Sequence, residues 1–246
     1  RHSRIIDYVD LYQRLKEVDQ LKDDFISMAS HELRTPLTII KGYAEFVSEA
    51  PEISAETRDY VDKISIGTQQ LDSLVADILD VSRIEQGRMS FKMEKLNPTE
   101  LIDSVVASLV LPAKEKGLNI SFDKTKIENN QFINVDVDRL KQVLVNLVGN
   151  AVKYTPKGEV VVHQYTEKGN LNIRISDTGI GMTEEERARL FEKFYRIRIK
   201  ETEDIRGTGL GLWITAKMVK EMGGKISVES IKGVGSHFVI SFPIVN

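Results

Sequence analysis

The sequence predicts two domains of different fold class. The first is an all-α helical hairpin that pairs into a dimeric four-helix bundle, and the second is an α/β sandwich. Three observations carry this expectation. Apolar residues recur at heptad spacing before about residue 90, the texture changes to mixed helix and strand from about Ser90, and 246 residues with 41% hydrophobic content are enough for two cores. The expected divisions are 1–20 as an N-terminal coiled-coil segment, 21–88 as the hairpin and 89–246 as the sandwich.

In the first part, Leu11, Val18 and Phe25 repeat every seven residues, and Leu21 and Met28 fill the alternate heptad positions. Arg14 interrupts that seam. The helical pattern continues through "TIIKGYAEFV" to Pro51, and "APEIS" reads as a turn. Ser54 precedes an acidic first turn and serves as N-cap for a second helix. Ile64, Leu71, Leu74, Ile78 and Val81 form that helix's apolar stripe, and Gly87 is its stop. A lone hairpin cannot bury such a stripe, so a homodimer is expected.

In the second part, "FKMEKLN" and "LNISFDK" read as strands around a helix with Pro98 in its first turn and Gly117 at its end. "VDRLKQVLVNLVGNAVKYT" reads as a second helix and "GLGLWITAKMVKEMGG" as a third. The stretch around Lys168-Gly169-Asn170 alternates as a hairpin, and "KISVESIKGVGSHFVISFPI" closes the chain as another. Helices beside strands give helices packed on one face of a mixed sheet.

Composition excludes several function classes. Without cysteine there are no disulfides, thiolate nucleophiles or cysteine-bound zinc. A net charge of −3 argues against a broad nucleic-acid surface. No apolar run is long enough to cross a bilayer, and no signal peptide opens the chain. Opening on Arg1 suggests a piece of a longer protein, with a sensor or membrane domain upstream and this portion in the cytoplasm.

Two sets of residues carry chemistry. In "SMASHELRTPL", His31 falls on the flank of the expected seam, and a neutral imidazole keeps one nitrogen free as a nucleophile. Glu32 can accept the hydrogen of the other nitrogen, fixing the tautomer, or it is an ordinary solvated charge. Pro36 lacks an N–H and crowds the carbonyl of Glu32, so the helix is expected to bend or loosen there. The second set lies in separated segments. Asn146 and Asn150 share a helix face, with Lys153 and Tyr154 a turn further on; an amide oxygen suits Mg²⁺ and a lysine suits phosphate. Asp177 in "DTGIG" can accept from an exocyclic amine, and Gly179 and Gly181 allow close backbone approach. Gly207, Gly209 and Gly211 precede a helix whose N-terminus favours anions. Each segment alone is equally an ordinary polar face, turn or flexible loop.

Together the segments resemble the sensor histidine kinases of two-component signalling. "SHELRTPL" resembles the family's H box, "NLVGNAVKY" its N box, "DTGIG" its G1 box, "FEKFYR" its F box and "GTGLGL" its G2 box. The resemblance implies a dimerisation and phosphotransfer hairpin and a Bergerat-type ATP-binding domain. It implies His31 as phospho-acceptor, Glu32 as its acid–base partner, and Thr35 as the residue that positions water for phosphatase action. The alternative for Thr35 is a hydroxyl bonded to a backbone carbonyl beside Pro36. ATP and Mg²⁺ are the implied cofactors. Asn150 would ligand the metal, Asn146 would support it, Lys153 would face phosphate, and Tyr154 would face the nucleotide. Asp177 would read adenine, Arg196 would meet the γ-phosphate, and Gly207, Thr208, Gly209, Leu210 and Gly211 would border the phosphates. "IRIKETEDIR" is the implied ATP lid and "RIEQGRMSF" the expected hinge. The implied partner is the receiver domain of a response regulator. A non-catalytic nucleotide-binding scaffold and a gyrase-like ATPase are the rivals; intact Asn150, Asp177, the glycines and His31 argue against the first, and the second gives no reason for "SHELRTP" on a helical hairpin.

Overall fold

The structure, a computed structural model, describes residues 26, 28–50, 53–127, 131–197 and 207–245. The seam residues Leu11, Val18, Leu21 and Phe25 and nearly all of the implied lid lie outside these residues. The chain divides into two compact units, Arg1–Met89 and Ser90–Asn246.

The first unit contains helix α1, residues 28–48, and helix α2, Ala55–Glu85. Ser54 is the N-cap of α2, its hydroxyl accepting from the Thr57 N–H at 3.1 Å. Gly87 follows the helix end at φ +63°. In the single chain α1 buries Ser30, Leu37 and Ala44, and α2 buries Val61, Thr68, Val75 and Ser82. Both sets are spaced by sevens, and α2 buries Asp80 outside its series. They are offset from the expected stripe by three residues, so Ile64 and Leu71 remain 47% and 41% exposed. The physical reason is that a heptad has two seam positions, and one hairpin covers only one of them. α1 runs without interruption across Pro36.

The second unit is a mixed sheet with helices on one face. Its elements are β1 (Glu94–Leu96), α3 (Thr99–Glu115), β2 (Asn119–Asp123), β3 (Phe132–Val135) and α4 (Val137–Tyr154). They continue with β4 (Glu159–Glu167), β5 (Asn170–Asp177), α5 (Glu184–Arg189), α6 (Gly211–Glu221), β6 (Lys225–Ile231) and β7 (Gly235–Val245). The strand order is β1-β3-β7-β5-β4-β2, with β6 also paired to β7. β7 is long enough to pair β6 along its first part and β3 through its last two residues. Lys168 and Gly169 both take positive φ, which gives the β4–β5 hairpin the twist its strands need.

Alternation decides which face is buried. Val160 and Val162 of β4, Ile173 and Ile175 of β5, and Phe238, Ile240 and Phe242 of β7 are buried in the core. α4 lies over β4 and β5, flanked by α3 and α6. It contributes Leu140, Val143, Leu144, Leu147, Val148, Ala151 and Val152 to that core. The expected first strand shortens to three residues, and β3 and α5 are additions to the elements read from sequence. Pro112 stands inside α3.

Asp136 fixes where α4 begins. One carboxylate oxygen accepts from the Arg139 N–H at 3.0 Å, and the other accepts from the Lys92 N–H at 2.7 Å. The same residue therefore caps the helix and pins the segment that enters the domain. Replacing Asp136 by Ala should cost about 2 kcal/mol, the sum of a lost cap and the lost bond to the Lys92 N–H. Urea unfolding reads this as a lower midpoint at unchanged slope; an unchanged midpoint would contradict it.

Candidate functional site

α4 serves the sheet with one face and a pocket with the other. Asn146 and Asn150 are one turn apart on its half-buried edge. The Asn146 amide donates to the Thr215 hydroxyl of α6 at 2.7 Å, and the Asn150 amide donates to the Asn146 carbonyl oxygen at 3.3 Å. These two bonds fix both amides, and among the described residues they leave the Asn150 carbonyl oxygen outside the bonded set. α6 approaches so closely that a Cβ on Gly211 would stand 2.8 Å from the Asn146 oxygen.

At the C-terminal end of α4 three cations converge. Burial holds the Lys153 ammonium below its ordinary pKa, and the charges of Arg196 and Lys116 lower it further. Lys116 donates to the Val152 and Lys153 carbonyls at 3.1 and 3.0 Å, capping the helix. Burial pushes the Tyr154 hydroxyl up, with Arg196 opposing. A Cβ on Gly207 would come within 3.1 Å of the Lys153 ammonium nitrogen. Concentrated positive charge beside a glycine-rich loop is suited in chemical terms to an anion.

Asp177 ends β5, buried at 8% exposure. Its Oδ1 accepts from the Gly179 N–H at 2.9 Å and the Ser236 N–H at 3.2 Å. Burial raises its pKa, and those two N–H groups oppose the rise. Oδ2 makes neither of these bonds. Gly179 and Gly181 have reasons within the chain itself. A Cβ at Gly179 would lie 2.5 Å from the Tyr154 carbonyl oxygen, and one at Gly181 would overlap the Ile231 carbonyl. The loop is therefore moulded on neighbouring backbone.

The F-box turn and the glycine loop are joined at the stem of the implied lid. The Phe194 N–H donates to the Gly209 carbonyl at 3.0 Å, and Phe194 itself sits at φ +61°. The Thr208 hydroxyl accepts from the Leu210 N–H at 3.1 Å. Lys193 stacks on Trp213 with its nitrogen 4.4 Å from the ring centroid.

The second unit thus brings together Asn146, Asn150, Lys153, Tyr154, Asp177, Arg196 and the glycines. His31, Glu32 and Thr35 belong to the first unit, exposed on α1. Among the described residues no hydrogen bond joins His31 to Glu32. The Thr35 hydroxyl donates to the His31 carbonyl over a long 3.4 Å. Sequence reasoning missed Thr215 and Lys116. Thr215 lies one helical turn after Gly211, which was a usable signal; nothing local marks Lys116. Among the described residues no group of histidines and carboxylates is placed to hold a metal ion, so a metal here would depend on amide and ligand oxygens.

Two family profiles match the chain. Residues 135–246 match the histidine kinase-, DNA gyrase B- and HSP90-like ATPase family, and residues 21–87 match the His Kinase A (phospho-acceptor) domain. Sensor protein SrrB of Staphylococcus aureus strain NCTC 8325 / PS 47 is 34% identical over 232 residues, which cover 92% of this chain and 39% of SrrB. The chain therefore spans about two-fifths of that relative's length. Among solved structures, full-length ShkA in complex with AMPPNP aligns with a TM-score of 0.75 at 31% identity, over 91% of this chain and 46% of that one. The Acinetobacter baumannii histidine kinase AdeS shares the fold with a TM-score of 0.61 at 22% identity, over 88% of this chain and 98% of that one.

The environment of Asp177 has a measurable consequence. Its folded-state pKa lies above the unfolded value, so the ionised form destabilises the fold at neutral pH. That penalty is lost as pH falls through the folded pKa towards the unfolded value. Asp177→Asn keeps the oxygen that accepts both N–H groups and removes the charge. The variant should melt at or above the parent temperature at pH 7, with the gap closing on acidification. A variant clearly less stable at pH 7 would show that the carboxylate supports the fold.

Proposed function

We propose, from the premise that this chain belongs to the histidine kinases, that it moves the γ-phosphoryl group of ATP to His31 and then to an aspartate of a response-regulator receiver domain. Residues 89–246 act as the ATP-binding domain, 21–88 as the dimerisation and phosphotransfer domain, and 1–20 as the segment that carries a signal in. The observation that carries this reading is the exposed His31 on α1, one residue from buried Ser30, in a chain whose other unit gathers a cationic pocket. A helix that buries Ser30 and Leu37 presents the imidazole between them outward.

The residues divide the work by chemistry. The open Asp177 oxygen accepts from the adenine amine. Lys153 and Arg196 meet phosphate, and an anion there returns the Lys153 ammonium towards its ordinary pKa. Tyr154 lies against the nucleotide, and Gly207, Thr208, Gly209, Leu210 and Gly211 border the phosphates. Mg²⁺ fits the Asn150 carbonyl oxygen that the amide chain leaves open, with Asn146 fixing its direction; bound metal neutralises phosphate charge. One imidazole nitrogen attacks the γ-phosphorus, an N–P bond forms, the bond to ADP breaks, and Glu32 takes the proton from the other nitrogen. The receiver aspartate then attacks the same phosphorus and frees the histidine.

A second copy of the chain would cover the other heptad positions. Leu33 and Ile40 of α1 are each 46% exposed, matching Ile64 and Leu71 of α2 in spacing. Sedimentation equilibrium should therefore read two copies. Thr35 is assigned to dephosphorylation of the regulator, because a hydroxyl orients water and offers nothing to an imidazole that attacks by itself. Its long bond to the His31 carbonyl is weak enough to be exchanged for water.

His31→Gln tests the reading. It should abolish acid-labile, base-stable labelling from γ-labelled ATP while ATP affinity stays within about twofold, since the histidine is not a pocket residue. Labelling of the variant at the parent level would remove His31 from the mechanism. Thr35→Ala should label like the parent but prolong the life of a phospho-regulator; equal decay with both proteins would remove Thr35.

A further inference from the structure

We propose that Ser230 sets the base selectivity of the pocket, by fixing the Ser236 hydroxyl as a pure hydrogen-bond acceptor beside Asp177. This rests on the adenine reading of Asp177 given above. The three residues form one row across three strands. Asp177 of β5 faces Ser236 of β7, and Ser236 faces Ser230 of β6. Directly opposed residues share a face of the sheet, so this is a polar row at the end of the apolar helix-covered face. The next row inward on that face is Ile175, Phe238 and Val228.

The proton count within the row has one solution that makes all three contacts of Ser230 hydrogen bonds at once. The Ser230 hydroxyl accepts from the Met182 N–H at 2.9 Å, lies 3.0 Å from the Gly235 carbonyl oxygen, and lies 3.0 Å from the Ser236 hydroxyl. A hydroxyl has one hydrogen and two lone pairs. The Gly235 carbonyl has no hydrogen, so it receives the Ser230 proton. Met182 takes one lone pair. The remaining lone pair can only accept, so Ser236 donates its hydrogen to Ser230.

Ser236 then has only lone pairs to offer elsewhere. Beside it, Asp177 Oδ1 is already filled by the Gly179 and Ser236 N–H groups. This edge of the pocket accepts and does not donate. A 6-aminopurine supplies the hydrogen that such an edge needs. A 6-oxopurine brings an acceptor to acceptors and is rejected. Without the Ser230 hydroxyl, the Ser236 hydrogen is released, and the group can turn to donate to an oxo oxygen. Ser230 is thus a positioning residue that never needs to touch the base.

Titration calorimetry of ADP and GDP against the whole chain tests this, using the parent, Ser230→Ala, Ser236→Ala, the double variant and Ser230→Thr. The parent should prefer ADP. Ser230→Ala should reduce the ADP:GDP affinity ratio by about tenfold, the scale of one buried hydrogen bond exchanged for a mismatch. A merely structural loss at Met182 weakens both nucleotides alike and leaves the ratio unmoved. Ser230→Thr should retain the ratio, and the double variant should match Ser236→Ala. A parent that prefers ADP with a Ser230→Ala ratio unchanged overturns the role of Ser230 alone. The same follows if the Ser230→Ala effect persists in full when Ser236 is already alanine. A parent with no preference for ADP overturns both this proposal and the adenine reading.

Discussion

A carboxylate held inside a sheet is the constraint around which the second unit is arranged. Asp177 stands on the apolar face of β5, where an isolated charge is costly. The chain answers with two backbone N–H groups aimed at one oxygen, from Gly179 two residues on and from Ser236 across the sheet. Both donors demand tight backbone. The loop after β5 must press against the end of α4, which only glycine at 179 permits, and the start of β7 must lie directly beside β5. The arrangement satisfies one oxygen and leaves the other outside both bonds.

The rest of the pocket follows from α4 serving two masters. Its buried stripe fixes its roll on the sheet, so Asn146 and Asn150 are delivered to one edge and Lys153 and Tyr154 to its end. Lys116 closes the carbonyls of the last turn from outside. Because that cap is itself a cation, it adds to the field that lowers the Lys153 ammonium. Stability of the helix end and attraction for an anion therefore have the same source.

Residues with a local signature were legible in the sequence, and residues placed by tertiary contact were not. The asparagine pair, Asp177 and the glycine run occur in short motifs whose spacing carries their geometry. Lys116 acts on a carbonyl 36 positions away and Ser230 is anchored by an N–H 48 positions away, pairings no window of sequence displays; Thr215 meets a partner 69 positions away, and its place one turn after Gly211 was the one local hint. β3 escaped for the same reason. It is four residues long, runs directly into the cap of α4, and finds its partners in β1 and at the far end of β7. α5 did carry a signal. Thr183 and Glu186 form a capping box, the Thr–x–x–Glu pattern that marks a helix start. In the hairpin, the heptad repeat was visible, but which of its two seam positions one chain buries is decided by packing.

The account depends most on the claim that Asp177 recognises the exocyclic amine of adenine. Its most direct measurement compares ADP with inosine diphosphate, which replaces that amine by an oxo group, in titrations of the parent protein. The account predicts that ADP binds at least about a hundredfold more tightly, as expected where a buried acceptor loses its donor. Affinities within a few-fold of each other would contradict it and assign the buried carboxylate to another task.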